Sequence, residues 1–260
     1  MITPVVAALA SMLVGLATLA ARRWGHGVGG LLSAFPLIVG PILLIAAERH
    51  GTAFAAQAAC ATLVGLVSVA AFAIAYGRSA RRRGWPASLL AGWAVAIVMG
   101  FLAGRAEIGL AGATAIAAGA ILAARFGLPL APPPPHLPSP RGELAARMVL
   151  TAALIVALSL AADRFGPVVA GALAALPVLA SVLAVFTHRS YGRHALVDLL
   201  RGMVVGLGAF VAFCVIVGGL IDRTGVAVAF TVATLAAMGV QAISVRASIA
   251  RPRMEPSPAG

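Results

Sequence analysis

Residues 55–76 read AAQAACATLVGLVSVAAFAIAY, an apolar run without a single charged side chain. About 20 mostly apolar residues are enough to cross the hydrocarbon core of a bilayer as an α-helix. Eight further segments qualify or nearly do, at about 3–21, 28–47, 86–104, 108–124, 145–162, 168–187, 197–220 and 225–245. The sequence therefore predicts an all-α transmembrane bundle of about nine helices, with the lipid bilayer as its first partner.

The composition of the whole chain agrees with this interpretation, since 62% of its 260 residues are hydrophobic and 10% are charged. A soluble domain is about a quarter charged. The net charge of +12 comes from arginines in short clusters between apolar runs. Membrane proteins fix their orientation with such clusters, whereas nucleic-acid binding needs a continuous basic face. The composition therefore disfavours a nucleic-acid partner.

The chain also contains an internal repeat. A shift of 141 residues places Pro36 on Pro177 and Gly51 on Gly192 without a gap. The repeat predicts a first four-helix unit at 1–104, a connecting helix with a Pro-rich loop at 105–144, a second four-helix unit at 145–245 and a disordered cytoplasmic tail at 246–260. Because one helix separates the two units, the second is predicted to be inverted relative to the first.

Arginine placement supports this inversion. Of the 19 basic residues, 15 follow odd-numbered spans or lie in the tail. The cluster at 78–83 has only Arg223 at the equivalent place in the second unit, whereas Arg49 is matched there by Arg189, Arg193 and Arg201. Basic residues collect in cytoplasmic loops, so we expect an outside N-terminus and a cytoplasmic C-terminus.

Both halves share a short motif. It is a stretch of small residues that ends in proline, GGLLSAFP at 29–36 and AGALAALP at 170–177. A polar helix end with glycine follows, ERHG at 48–51 and HRSYG at 188–192. The pattern resembles the GlpM family of small bacterial inner-membrane proteins, which are single four-span units. The resemblance implies a bacterial inner membrane and a link to alginate-related regulation, and it offers no catalytic residues. In such a membrane, the outside N-terminus that the arginine placement predicts is periplasmic.

Pro36 and Pro177 fall near the middle of spans two and seven, where proline removes a hydrogen bond and kinks a helix. Pro41 is predicted to add a second break to span two. Broken helices at corresponding positions of inverted repeats point to the central site of a transporter. The predicted substrate pathway consists of Gly30, Ser33, Pro36, Pro41, Gly171, Pro177 and Ser181. The alternative interpretation is close helix packing through small residues.

Ionisable residues are scarce inside the predicted spans. All seven acidic residues fall at span ends, in loops or in the tail, which disfavours a proton-driven pump with a buried carboxylate. Asp198 and Arg201 lie on one face at the start of span eight. They are predicted either to gate access as an ion pair or to form a local pair at a helix end. The tryptophans of the chain mostly suit anchoring at the membrane interface, namely Trp24, Trp85 and Trp93.

The sequence contains no nucleophile–base set, metal-ligand spacing or cofactor fingerprint, so we expect neither an enzyme nor a metal or cofactor site. Two function classes remain. The first is a transporter or permease for a small neutral, apolar or anionic substrate bound between the repeats. The second is a non-transporting scaffold or regulator that binds another membrane protein.

Overall fold

The computed structural model describes residues 2–105, 108–130, 140, 142–165 and 176–250, and these contain helices but no strand. Most of the Pro-rich loop, Gly171 and the last ten residues lie outside them. The helices of the described residues are α1 (Ile2–Trp24), α2 (His26–Ser33), α3 (Val39–His50), α4 (Thr52–Ser79), α5 (Trp85–Ala103), α6 (Leu110–Gly127), α7 (Glu143–Phe165), α8 (Val178–Thr224) and α9 (Val226–Ile249).

Seven of the helices in the described part of the chain are long and apolar enough to cross a membrane, namely α1 and α4 to α9. The all-α transmembrane class predicted from composition is confirmed, and the chain is a multi-pass integral membrane protein. One boundary differs from the prediction. Helix α9 continues to Ile249, into the segment expected to be a disordered tail, because the first proline after the span is Pro252.

Single glycines connect several of these helices. Gly25, Gly51 and Gly225 separate consecutive helices and have φ of 99°, 89° and 78° with ψ of 161°, 168° and 170°. Gly192 has φ 81° and ψ −177° and divides α8 into two helical segments, 178–191 and 193–224. This region of backbone space is essentially open to glycine alone. Each glycine therefore ends one helix and allows the next to begin directly.

Helices α1, α4 and α8 form the centre of the bundle, since 56%, 44% and 44% of their spans are buried. Helices α5, α6, α7 and α9 are peripheral, with 11% to 22% buried. The short helix α2 packs against α1, α8 and α9, while α4 contacts α5, α6 and α8. Most of the outer surface of the peripheral helices is thus apolar and faces the lipid.

Backbone contact brings α2 and α8 together. A Cβ atom added to Gly30 would fall on the carbonyl of Leu199, and one added to Gly202 would fall on Gly27. Small side chains allow two helix backbones to approach closely within a membrane. Gly27 and Gly30 therefore form part of a tight seam between α2 and α8.

The connecting glycines give a test of the fold. A Cβ atom at Gly51 or Gly192 would have no neighbour within 4 Å, so alanine there costs only backbone strain. We expect Gly51→Ala and Gly192→Ala each to lower the free energy of unfolding by about 1–3 kcal/mol. The measurement is unfolding in mixed micelles with increasing dodecyl sulfate.

The matched control is Gly65→Ala on α4, which also has open space around the added Cβ atom but lies within a helix. Alanine favours a helix interior over glycine, so this variant should be as stable as the wild type or more so. Equal stability of all three variants would contradict the assigned role of Gly51 and Gly192.

Candidate functional site

A break interrupts the chain between α2 and α3. Residues 34–38 are not helical, and Pro36 is buried among them. The mid-span proline therefore ends a helix completely. The second break predicted at Pro41 is wrong, because Pro41 lies in the first turn of α3. An amide at that position has no helical partner to lose, so proline is tolerated there.

Two backbone carbonyls near the end of α2 accept hydrogen bonds from side chains of the protein. The Leu31 carbonyl accepts a hydrogen bond of 2.8 Å from Nε2 of Gln241 on α9. The hydroxyl of Ser33 donates to the Gly30 carbonyl at 2.6 Å. Both side chains are buried. Backbone groups at membrane depth must be satisfied by protein or by a water-filled cavity, and at this break the protein supplies the partners.

The second predicted break lies at Pro177, which is buried directly before α8. The hydroxyl of Ser181 donates to the Pro177 carbonyl at 2.8 Å and accepts a hydrogen bond of 2.8 Å from Nε1 of Trp93. Trp93 lies in the middle of α5, so the prediction that it anchors the chain at the membrane interface is wrong. Its indole holds α5 against the start of α8.

Each of the two residues of the predicted gate also bonds a backbone group outside α8. Oδ2 of Asp198 accepts a hydrogen bond of 2.7 Å from the amide of Gly27, in the first turn of α2. A carboxylate at this place complements the positive end of the helix dipole. Nη1 of Arg201 lies 3.3 Å from the carbonyls of Leu128 and Pro129, just after α6. Both residues therefore connect α8 to other elements.

A stripe of polar residues occupies the protein-facing side of α7. Among its described side chains the buried ones are Glu143, Arg147 and Thr151, spaced four residues apart. The other described side chains of the helix are partly or fully exposed. Residues four apart lie on one helix face. Helix α7 thus presents apolar groups to lipid and polar groups to the bundle.

Glu143 and Arg147 form the centre of a buried polar cluster. Nη2 of Arg147 donates to Oε1 of Glu143 at 2.6 Å, and both side chains are 2% exposed. The hydroxyl of Tyr191 donates to Oε2 of Glu143, also at 2.6 Å. Nη2 of Arg22 lies 3.8 Å from the same oxygen. Two guanidinium groups thus face one carboxylate, which leaves the cluster with an excess of positive charge.

The Arg147 guanidinium has weaker partners on its other sides. Thr18 lies 3.5 Å from Nη1 and Thr187 lies 3.4 Å from Nη2. Among the described residues, Nε of Arg147 has no hydrogen-bond partner although it is buried. The ring of Phe186 lies 5.4 Å from the guanidinium carbon. Arg147 therefore keeps donor capacity that the described residues around it do not use.

The cluster joins distant parts of the chain. Arg22 is near the end of α1, Glu143 begins α7, and Tyr191 directly precedes the glycine that divides α8. Sequence reasoning placed Glu143 and Arg147 beside a loop and did not include them in a site. The four-residue spacing of Glu143, Arg147 and Thr151 was the available signal, since a polar stripe on an apolar helix favours burial against protein.

A cavity of about 520 Å³ lies near the C-terminal end of α8. It is lined by Ala53, Ala56, Gln57, Cys60, Ala61, Val64, Ala103, Gly104, Ile108, Gly109 and Asp222. None of the predicted pathway residues lines it. Its wall consists mainly of small apolar groups from α4 and the ends of α5 and α8.

Comparison with known proteins adds no relative: no family model, no curated protein and no solved structure matches the chain.

The Glu143–Arg147 pair can be tested through stability. Removing one partner of a buried ion pair leaves the other charge uncompensated and costs about 3–5 kcal/mol, whereas replacing both by apolar groups is often neutral. We expect Glu143→Leu to lose stability on this scale and Glu143→Leu combined with Arg147→Met to regain most of it. Unfolding in mixed micelles, analysed as a double-mutant cycle, measures the coupling.

The control for this cycle is Arg164→Met on the same helix, where the side chain is exposed. Its stability should be close to that of the wild type. Additive losses in the double variant would show that Glu143 and Arg147 do not act as a pair.

Proposed function

We propose that this protein is a permease-like carrier of a small neutral, apolar or anionic solute in a bacterial inner membrane. Its site lies between two inverted four-helix repeats. The observation that carries the proposal is the buried cluster around Arg147, where α1 of the first unit meets α7 and α8 of the second. Ionisable groups inside membrane segments are costly, and they commonly mark a substrate or ion pathway.

The helix bounds support the proposed duplication. Helix α7 (Glu143–Phe165) contains the residues that lie 141 positions after those of α1 (Ile2–Trp24). Helices α5 and α9 begin at the same offset, at Trp85 and Val226. Gly51 and Gly192, which the offset also pairs, share a backbone conformation that other residues avoid. We take this shared register as the scaffold of two equivalent units.

The inversion follows from the number of spans. In the proposed topology α2 and α3 together make one span, the span expected at 168–187 ends in the first segment of α8, and the second segment of α8 makes another. With α1, α4, α5, α6, α7 and α9 the chain then crosses nine times. An odd number of crossings places the two termini on opposite sides of the membrane, and the arginine bias then favours a periplasmic N-terminus and a cytoplasmic C-terminus. Helix α6 is the single helix that inverts the second unit.

A second candidate function rests on the seam between α2 and α8. Gly30 and Gly202 bring the two helices to backbone contact, and Gln241 closes the hydrogen bonding of the adjacent break. A seam without open space favours a static scaffold, such as a GlpM-like regulator of an envelope process. Such a scaffold would co-purify with one membrane protein in fixed stoichiometry and would catalyse no flux.

The inverted topology predicts opposite sidedness for two equivalent residues. Arg82 and Arg223 are 141 positions apart, and both are exposed. In a background of Cys60→Ala and Cys214→Ala, we expect Arg223→Cys to react with a membrane-impermeant maleimide in intact cells. Arg82→Cys should react only in inverted vesicles. Labelling of both positions from the same side would rule out the inversion.

The carrier function predicts flux that depends on Arg147. Purified protein in liposomes should move at least one labelled solute of a panel of small neutral, apolar and anionic compounds. We expect Arg147→Gln to lower this flux by about tenfold or more, a loss equivalent to about 1.4 kcal/mol. Arg164→Gln, at the exposed end of the same helix, should retain it.

Two results in the liposome assay would contradict the carrier function. If no solute crosses faster than through empty liposomes, or if both arginine variants lose flux equally, the assignment of transport to the Arg147 cluster is wrong. A stoichiometric membrane-protein partner recovered in the same preparation would then favour the scaffold.

A further inference from the structure

We infer that the guanidinium of Arg147 binds the carboxylate of a small organic acid, and that Glu143 is the internal carboxylate which this substrate displaces. The inference rests on the proposed carrier function and narrows its substrate to one chemical class. It is argued from the hydrogen-bond geometry around the two side chains.

The guanidinium of Arg147 has N–H donors without good acceptors among the described residues. A guanidinium group has five N–H donors and no acceptor. At Arg147 one of its hydrogen bonds is short, the 2.6 Å bond from Nη2 to Glu143, and the two contacts to threonine hydroxyls are 3.4 and 3.5 Å long. Nε has no partner among the described residues. Buried donors without good acceptors are unfavourable, so an added acceptor would stabilise this side chain.

The guanidinium of Arg147 has an edge that suits a carboxylate. Nε and Nη2 lie on one edge of the planar guanidinium, and carboxylates bind such an edge through two parallel hydrogen bonds. Glu143 bonds Nη2 through Oε1 alone, and its Oε2 accepts the hydrogen bond from Tyr191. The intramolecular pair is therefore singly bonded where a substrate carboxylate would form two bonds. This difference favours exchange of one carboxylate for another.

Glu143, the side chain that the substrate would displace, has partners besides Arg147. Oε2 of Glu143 already lies within 2.6 Å of the Tyr191 hydroxyl and 3.8 Å of Arg22. Tyr191 and Arg22 remain partners of Glu143 when its side chain leaves Arg147. The charge of Glu143 is therefore not left uncompensated. The side chain of Arg22 is 32% exposed. It connects the cluster with the membrane surface and attracts an incoming anion.

The surroundings limit the size and polarity of the acid. The ring of Phe186 lies beside the guanidinium, and the hydroxyls of Thr18 and Thr187 flank it. This mixture suits a short acid with a small apolar body and does not provide the several cationic groups that a multiply charged phosphate ester requires. A monocarboxylate is the substrate class that fits.

The test measures binding directly on the full-length protein in detergent. Saturation-transfer NMR at constant ionic strength detects weak binding of acetate, propionate and benzoate. Acetamide, propionamide and benzamide are the neutral controls, and inorganic phosphate serves as a competitor. We expect the acids to give saturable transfer, the amides to give none, and phosphate to compete poorly.

Variants then assign the site. Glu143→Gln removes the internal competitor and should bind the acids about tenfold tighter or more, which corresponds to about 1.4 kcal/mol. Arg147→Gln should abolish binding, Arg147→Lys should weaken it because an ammonium lacks the planar edge, and Arg164→Gln should leave it unchanged. Thermal melting in the same detergent shows that each variant is folded.

Several results would overturn the inference. They are equal signals from acids and amides on the wild type, unchanged affinity in folded Glu143→Gln, or full binding by folded Arg147→Gln. The wild-type comparison of acids with amides needs no variant, so instability of a substituted protein does not remove the test.

Failure of this inference and failure of the proposed function give different patterns. Carboxylate binding at Arg147 without flux in liposomes would retain the site and reject the carrier. Flux of a neutral solute that depends on Arg147, without carboxylate binding, would retain the carrier and reject the monocarboxylate substrate.

Discussion

A backbone amide or carbonyl in hydrocarbon has no water to bond with, so each interruption of a helix must be resolved inside the protein. The chain meets this constraint with side chains from other helices. Gln241 of α9 bonds the last turn of α2, and Asp198 of α8 bonds its first turn. The short helix α2 is thereby held at both ends, and its glycines can lie directly on α8. The arrangement of the central helices depends on these contacts.

The polar side chains differ between the two halves of the chain. Under the proposed offset of 141 residues, Glu143 and Arg147 correspond to Ile2 and Val6, and Gln241 corresponds to Gly100. The first unit thus contributes mainly small and apolar surface, whereas the second contributes the buried charges and the capping amide. In the proposed arrangement, the buried charges lie where the two units meet.

Much of the fold could be predicted from the sequence because hydrophobic length and glycine position are local properties. The run at 55–76 lies inside α4, and the interruption at Pro36 occurs where the proline predicted it. The effect of Pro41 was misjudged because it depends on where α3 starts. The burial of Glu143 and Arg147 was missed because it is set by the packing of α1 and α8 against α7, and hydropathy along a single segment does not contain that information.

The spacing of Glu143 and Arg147 has a consequence for how the protein is made. The two charges lie one turn apart on the same helix, so they neutralise each other as soon as that turn has formed. Chains are synthesised from the N-terminus, and α7 therefore leaves the ribosome before Thr187 and Tyr191 do. It carries its own counter-ion into the bilayer, at lower cost than two separate charges. The helix can be inserted first, and the residues that later complete the cluster arrive around a pair that is already neutral.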